Sequence, residues 1–494
     1  MNVTLASIER VIASSGAGET IGQILPASAR SRQLTAGTLL TGMMLALADG
    51  RPAHLTRARQ ALISLPEDDQ KRLGVIEDWK DGPHQLTYRQ VEHTARLITK
   101  ALDKSKPDGA PSADLQRLCD QLTEASIPAG FKQASSSLAV DWTDVETWSR
   151  PVPHASAGAG ADPEARWGHR TVNLKVQEGE MFYGYYLPAA TMVKDEHGTV
   201  VPELTRRITV CSSAHDPAAA LATVLQDMAS SGIALGDILA DSGFSHRVPG
   251  TWAVPLRHAG ASLVQDLHPG DRGPQGTHEG AVICNGNLYC PATPKALLQL
   301  TPLSPSAGPA NVAAHDAQAA ELARYKLGLH AADDADGYRR LACPAATGKI
   351  RCPLRPASMT LTRDRPEILA PPQHPPACCN QKTITAGPGI AAKTRQKHDY
   401  LSQAWRRSYR RRTAAERLNA TIKDTATSSI DRGWIRLMGL TPLMLWLACL
   451  TTVRNQRILA TFQARQDHDA RRAAAGQQPH TRRRHHQAIS TAPP

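Results

Sequence analysis

Aromatic side chains are scarce. Phe, Tyr and Trp together make up 4% of the 494 residues. Burial must therefore rest on Leu, Val, Ile and Ala, within a hydrophobic fraction of 41%. Long apolar runs are missing too. Two apolar stretches stand out, Leu39 to Ala48 and Met438 to Leu450. Both fall short of the roughly 20 residues that span a bilayer, and they suit buried helices. Met1 to Gly18 lacks the basic start and apolar run of a secretory signal. No two cysteines show the tight C-x2-C spacing of a zinc finger. Nine cysteines, an odd number, read as reduced thiols rather than a disulfide framework. These absences lead to the expectation of a soluble, cytoplasmic protein with no membrane partner.

Positive charge is what the chain has in excess, with a formal net charge of +12. That points to a polyanion, either nucleic acid or an anionic membrane surface. The excess is local. Residues 391–440 carry twelve Lys and Arg against four Asp and Glu. A last stretch, 461–494, lacks apolar periodicity and holds Arg471, Arg472 and Arg482 to Arg484. It is expected to be a disordered basic tail.

The length suggests two or three domains. Residues 1–130 read as a helical N-terminal domain. Leu39, Leu40, Met43, Met44 and Leu47 recur at helical spacing, and Thr87 with Gln90 makes a capping box for a second helix. Its basic faces suit nucleic acid, and a plain helical bundle is the equal alternative. Residues 131–265 change to strands: Leu138 to Trp142, Met181 to Leu187, Arg207 to Ser212 and Ile238 to Asp241. A helix from Asp216 to about Ser230 precedes the last, with Asp as N-cap and Pro at the first position. Pro151 to Asp162 reads as a loop. This β-β-β-α-β order predicts an α/β fold with a mixed sheet. Residues 266–390, rich in Pro, Gly, His and Cys, read as a loop-rich insertion. Residues 391–460 return to helix. In the insertion, Cys284-x5-Cys290, Cys343-x8-Cys352 and Cys378-Cys379 with His374 could form a zinc site; scattered thiols are the preferred reading.

The candidate chemistry lies in acids. Asp141 and Asp241 end two strands that can lie side by side, so both carboxylates would project from one sheet edge. Hard oxygen ligands of this kind suit Mg²⁺, and two ions about 4 Å apart would stabilise a phosphodiester displacement. A strand-terminal Asp can equally be a turn or cap residue. Tyr409, Arg412, Glu416 and Lys423 follow at offsets of three, seven and fourteen residues. At about 100° per residue they share a stripe roughly 60° wide. An aromatic, two cations and one carboxylate suit a metal-bound phosphate, with Glu416 on the ion and the others on DNA. A solvated basic helix with Glu416 paired to Arg412 is the alternative.

Tyr409-x2-Arg412-x3-Glu416-x6-Lys423 resembles the Y-x2-R-x3-E-x6-K signature of DDE transposases of bacterial insertion sequences. The segment Ala139-Val140-Asp141-x-Thr143 is similar to that family's first catalytic block. Trp167 to Arg170 with Tyr183-Gly184-Tyr185 is similar to its "GHK…GYK" region, and Leu239 to Phe244 to its second block. Arg170 stands where Lys is usual, and Tyr186 where a basic residue is expected. The resemblance covers about 131–255 and 394–460. It implies an RNase H-like catalytic core interrupted by an insertion, which the 175-residue offset from Asp241 to Glu416 can hold. It implies catalysis and metal binding by Asp141, Asp241 and Glu416. It also implies two Mg²⁺ ions with Mn²⁺ as substitute, and DNA contacts from Tyr409, Arg410, Arg411, Arg412 and Lys423. Its partners would be double-stranded DNA, at element ends and target, and a second copy of the chain in a synaptic dimer, with nucleoid association. A catalytically inactive DNA-binding derivative and a nuclease without strand transfer are the competing expectations.

Overall fold

The computed structural model describes residues 3–25, 34–79, 82–151, 160–172, 175–304, 306–331, 333–334, 337–425 and 429–478. Most of the loop expected at Pro151 to Asp162 lies outside them, as do the arginines Arg482 to Arg484. No helix among the described residues is long and apolar enough to cross a membrane.

A seven-stranded mixed sheet forms the centre. Its strands are β1 (Leu138–Glu146), β2 (Arg166–Val172), β3 (Lys175–Met192), β4 (Thr205–Ile208), β5 (Cys211–Ser212), β6 (Asp237–Ala240) and β7 (Ser262–Gln265). The order is β2-β3-β1-β6-β7, and β4 and β5 also pair with β3. β3 runs antiparallel to β1, whereas β6 and β7 run parallel to it. The chain order is therefore β1 to β5, a crossover helix, then β6. That helix is Pro217–Ser230, capped by the Asp216 side chain on the N–H of Ala218 with Pro217 in the first turn. The mixed α/β class follows from the pattern. The strand at Arg166–Val172 and the short strand β7 are additions to it.

The helices of the first 130 residues include α1 (Leu5–Ser15), α2 (Ala36–Ala48), α3 (Tyr88–Leu102) and α4 (Ala113–Ala125). Thr87 and Gln90 form the expected reciprocal cap at the start of α3. A hairpin, Ile76–Trp79 with Gly82–Gln85, interrupts them. These helices do not close a core of their own. Ile8, Leu39, Met43, Ile98 and Leu118 share one apolar cluster with Tyr185, Leu187 and Ile208 of the sheet and with Leu443 to Val453. The last residues belong to a helix spanning Leu440–Ala474. The expected disordered tail from 461 is thus corrected: the chain stays helical to Ala474, with a mostly exposed final part. Ala, Arg and Gln are strong helix formers, so these residues hold a helix without an apolar stripe.

The insertion is more ordered than its composition predicts. Pro274–His278, Ala281–Cys284 and Asn287–Tyr289 form one antiparallel sheet; Gly328–Leu329, Arg339–Ala342 and Ile384–Ala386 form another. A helix, Pro309–Arg324, lies between them in sequence.

Candidate active site

The register of two parallel strands builds the site. Leu138 pairs with Ile238 and Ala139 with Leu239. Two residues further on stand Asp141 and Asp241; Asp241 follows the end of β6, but Asp141 lies within β1, which runs on to Glu146, and does not end the strand as expected. Positions in register on adjacent strands project to the same face, so the carboxylates are brought together by the pleat itself. Asp141 Oδ1 accepts the N–H of Trp142 at 2.9 Å, and Oδ2 accepts Asn419 Nδ2 at 3.1 Å. Asp241 Oδ1 accepts the N–H of Gly243 at 2.9 Å, capping the turn Ser242–Ser245. Trp142 packs edge-on against Phe244 at 4.4 Å and supports both loops.

The electrostatics of the pair are unfavourable. Burial, then the neighbouring Asp241 carboxylate, push the Asp141 carboxyl up to about 7; Arg412 and the Trp142 N–H oppose them. Two acids held this close lack positive charge. Both line a cleft of about 480 Å³ with Thr143, Arg170, Tyr186, Tyr409 and Arg412.

Arg412 joins the third acid to the first two. Its guanidinium lies 3.7 Å from Asp141 Oδ2 and hydrogen-bonds Glu416. Glu416 sits on α7 (Thr413–Ile422), which packs over β1, and its side chain is 55% exposed. The structure therefore brings Asp141 and Asp241 together and places Glu416 one guanidinium away. Arg412 Nη1 is buried and makes no hydrogen bond. An oxyanion entering the cleft would satisfy it.

The expected continuous helix from Trp405 to Lys423 is interrupted. Gln403–Tyr409 (α5) and α7 are separated by a tighter turn, Arg410–Arg412, which we call α6. A turn with three residues per revolution sends successive side chains about 120° apart. Arg410 points to solvent. Arg411 points inward: its guanidinium bonds Asp237 Oδ2 at 2.6 Å and is 8% exposed. Arg412 points into the cleft. The expected DNA contact from Arg411 is corrected accordingly, because its charge is taken up inside the protein. Tyr409 stacks on Trp405 at 4.8 Å and 12°, with the Arg412 guanidinium 5.7 Å from its ring centre. Lys423 bonds Asp144 at 3.1 Å.

Sequence reasoning missed two groups. Asp266 follows β7 and also lines the cleft, but Tyr400 and Arg272 hold its carboxylate. A short apolar strand ending in an acid, Leu263-Val264-Gln265-Asp266, was the available signal. Arg170 grips Asp144 at 2.7 Å and Glu146 at 2.6 Å, so the charge of both acids is taken up by a cation. Beside the cleft, His246, His268 and Asp271 present donor atoms all within 4.8 Å of one another. Lys393 holds Asp271, however, and His268 Nδ1 accepts the N–H of Gly270.

No protein-family model matches the chain, and no curated protein and no solved structure matches it.

Proposed function

We infer that the chain is a DNA transposase of the DDE type, cutting the ends of a mobile element and joining them to target DNA. The observation that carries this reading is the parallel register of β1 and β6, which sets Asp141 beside Asp241, close to Arg412 of α6 and, through it, Glu416 of α7. A mixed sheet with its first strand central, antiparallel to β3 and parallel to β6, is compatible with the RNase H-like core the reading requires.

The residues fit a divalent cation. The donors are hard carboxylate oxygens, and burial with the neighbouring Asp241 charge makes the ionised Asp141 costly, a cost a bound cation would relieve. Asp141 and Asp241 would hold Mg²⁺, with Mn²⁺ as substitute, and Glu416 would complete the set once released from Arg412. Bound there, two such ions supply Lewis-acid stabilisation of the attacking and leaving oxygens. Arg412, whose buried Nη1 makes no hydrogen bond, binds a non-bridging phosphate oxygen. Tyr409 and Trp405 form a rigid wall that fixes Arg412 from one side. Arg410, exposed beside the cleft, and Lys423 contact the DNA backbone. A synaptic dimer and nucleoid association belong to the same proposal.

The test uses purified protein, Mg²⁺ and a labelled duplex carrying DNA that flanks the coding region. Wild type is expected to nick and join at the element ends, and Glu416→Gln to bind equally but do neither. Equal binding with no cleavage by either protein, in Mg²⁺ and in Mn²⁺, would transfer the protein to the inactive DNA-binding class. Nicking without joined products would make it a nuclease.

A further inference from the structure

A cavity of about 240 Å³ lies at the seam between the insertion and the core. Lys326, Arg339, Arg395 and Lys397 line it, against one carboxylate, Asp399. Arg395 and Lys397 belong to the basic stretch 391–440, yet neither lines the cleft of Asp141 and Asp241. Three of the four cations are held by acids. Lys326 bonds the two Asp399 oxygens at 2.5 and 2.7 Å, and Arg339 bonds Asp333 at 2.8 Å. Lys397 pairs with Asp237 and Glu196, each at 2.9 Å.

Arg395 is the exception. It is 7% exposed, and its guanidinium donates to the carbonyls of Gly337, Gly387 and Ile390 at 3.4, 3.1 and 2.9 Å. No carboxylate among the described residues pairs with it. Arg257, against the same segment, donates to the carbonyls of Ala392 and Arg395. A buried charge without a counter-charge is costly, and carbonyl dipoles offset only part of that cost. A neutral donor adds to the demand. Gln396 lines the same cavity. Its Oε1 accepts the N–H of Gln265 at 2.9 Å, which fixes the amide, and its Nε2 is buried with no hydrogen bond. The wall is preformed. Gly286, in the turn between Ala281–Cys284 and Asn287–Tyr289, holds φ +86°, and a Cβ there would stand 2.2 Å from the Thr394 carbonyl oxygen. The glycine lets the insertion close directly onto the segment that carries Arg395 and Gln396.

We propose that this cavity is an oxyanion site that takes one phosphate group, with Arg395 and Gln396 as its principal donors. Lys326, Arg339 and Lys397 surround the anion with further positive charge. Donors from three separate segments suit a tetrahedral phosphate, whose oxygens accept in every direction, better than a planar carboxylate. The cavity is smaller than the roughly 300–1,000 Å³ that buries a drug-sized ligand, so it holds a phosphate group and not a whole nucleotide. A backbone phosphate of DNA and a free phosphate offer the same oxygens. The site rests on its own donors and not on strand cleavage at Asp141, Asp241 and Glu416.

Gln396→Glu keeps the oxygen that accepts the Gln265 N–H and supplies the missing negative charge in place of Nε2. Melting temperatures of the full-length protein are compared in sodium phosphate and in sodium chloride at equal pH and ionic strength. Wild type is expected to rise a few degrees more in phosphate than Gln396→Glu does. The general stabilising effect of phosphate on folded proteins moves both alike and cancels. Phosphorus NMR of inorganic phosphate should show broadening with wild type and less with Arg339→Ala, which serves if Gln396→Glu does not fold. A duplex without Mg²⁺ separates the two sources. If DNA supplies the phosphate, Gln396→Glu lowers the salt slope of duplex binding by about one and inorganic phosphate competes; if a free phosphate does, duplex binding is the same in both proteins. No response of wild type to inorganic phosphate overturns the proposal, as does an equal response of wild type and both variants. Strand cleavage by wild type alongside either of those results would leave the acidic site standing and remove this one.

Discussion

Asp141 is where the chain sacrifices stability for a site. An isolated Asp ionises near pH 4. In the folded protein this carboxyl ionises near 7, through burial and the Asp241 charge. Because the folded pKa is raised, the unfolded chain releases its proton first. Stability of the metal-free protein therefore falls as pH rises from about 4 to about 7, then levels off. Asp141→Asn removes the repulsion. It is expected to raise the melting temperature of the metal-free protein at pH 8, by the equivalent of about 1–3 kcal/mol, while abolishing strand cleavage. Equal melting temperatures at pH 8 would show that the ionised, buried Asp141 beside Asp241 costs the fold nothing. Titration calorimetry offers a second check. Near pH 6.5, Mg²⁺ binding should release protons, seen as a heat that varies with the buffer's ionisation enthalpy.

At the scale of elements, α6 assigns three adjacent arginines to three different tasks. Arg411 anchors the turn to Asp237, which also bonds Lys397 at 2.9 Å. Arg411→Ala is expected to cost about 3 kcal/mol in denaturant unfolding, at the low end for a broken buried pair because Lys397 remains. Arg410 is exposed and unburdened. Arg410→Ala should leave stability unchanged and reduce the salt slope of DNA binding by about one. The opposite pattern would place Arg410, not Arg411, in the fold. A helical wheel could not assign these tasks, because the partners of Arg411 and Arg412, Asp237 and Asp141, lie on distant strands. Local signals were readable where the cause is local. Thr87 with Gln90, and Asp216 with Pro217, satisfy backbone N–H groups within their own helix ends. Asp241 was readable as an acid ending an apolar strand, and Asp141 as an acid beside an apolar run, although its strand continues to Glu146. The pairing of Asp144 with Arg170 and Lys423 was not, since it joins three distant segments. Nor was order in the insertion, whose strands are only two to five residues long.

At the scale of the whole molecule, the first 130 residues and the helix Leu440–Ala474 are two halves of one core. Met444 and Trp446 are buried in the same cluster as Leu39, Met43 and Leu118. A fragment of residues 1–130 is therefore expected to be largely unfolded by circular dichroism, or to aggregate. Adding the 440–474 peptide in trans should restore helix. A cooperative unfolding transition for the fragment alone would establish an independent N-terminal domain. Trp446→Ala should destabilise the full chain by about 3–5 kcal/mol, as a large cavity in a shared core.

That shared core has a consequence for synthesis. Ribosomes deliver roughly 5–20 residues per second. The apolar faces of Leu39, Met43 and Ile98 leave the exit tunnel early, but their partner at Leu443 to Val453 is translated more than three hundred residues later. For roughly 15–60 seconds the nascent chain carries a hydrophobic surface that the sheet residues already made, such as Tyr185 and Ile208, can cover only in part. Over that interval the newborn protein is a natural client for holding chaperones. The helix bearing Glu416 is made only just before that surface is sealed, so assembly of the acids and closure of the core fall in the same last moments of translation.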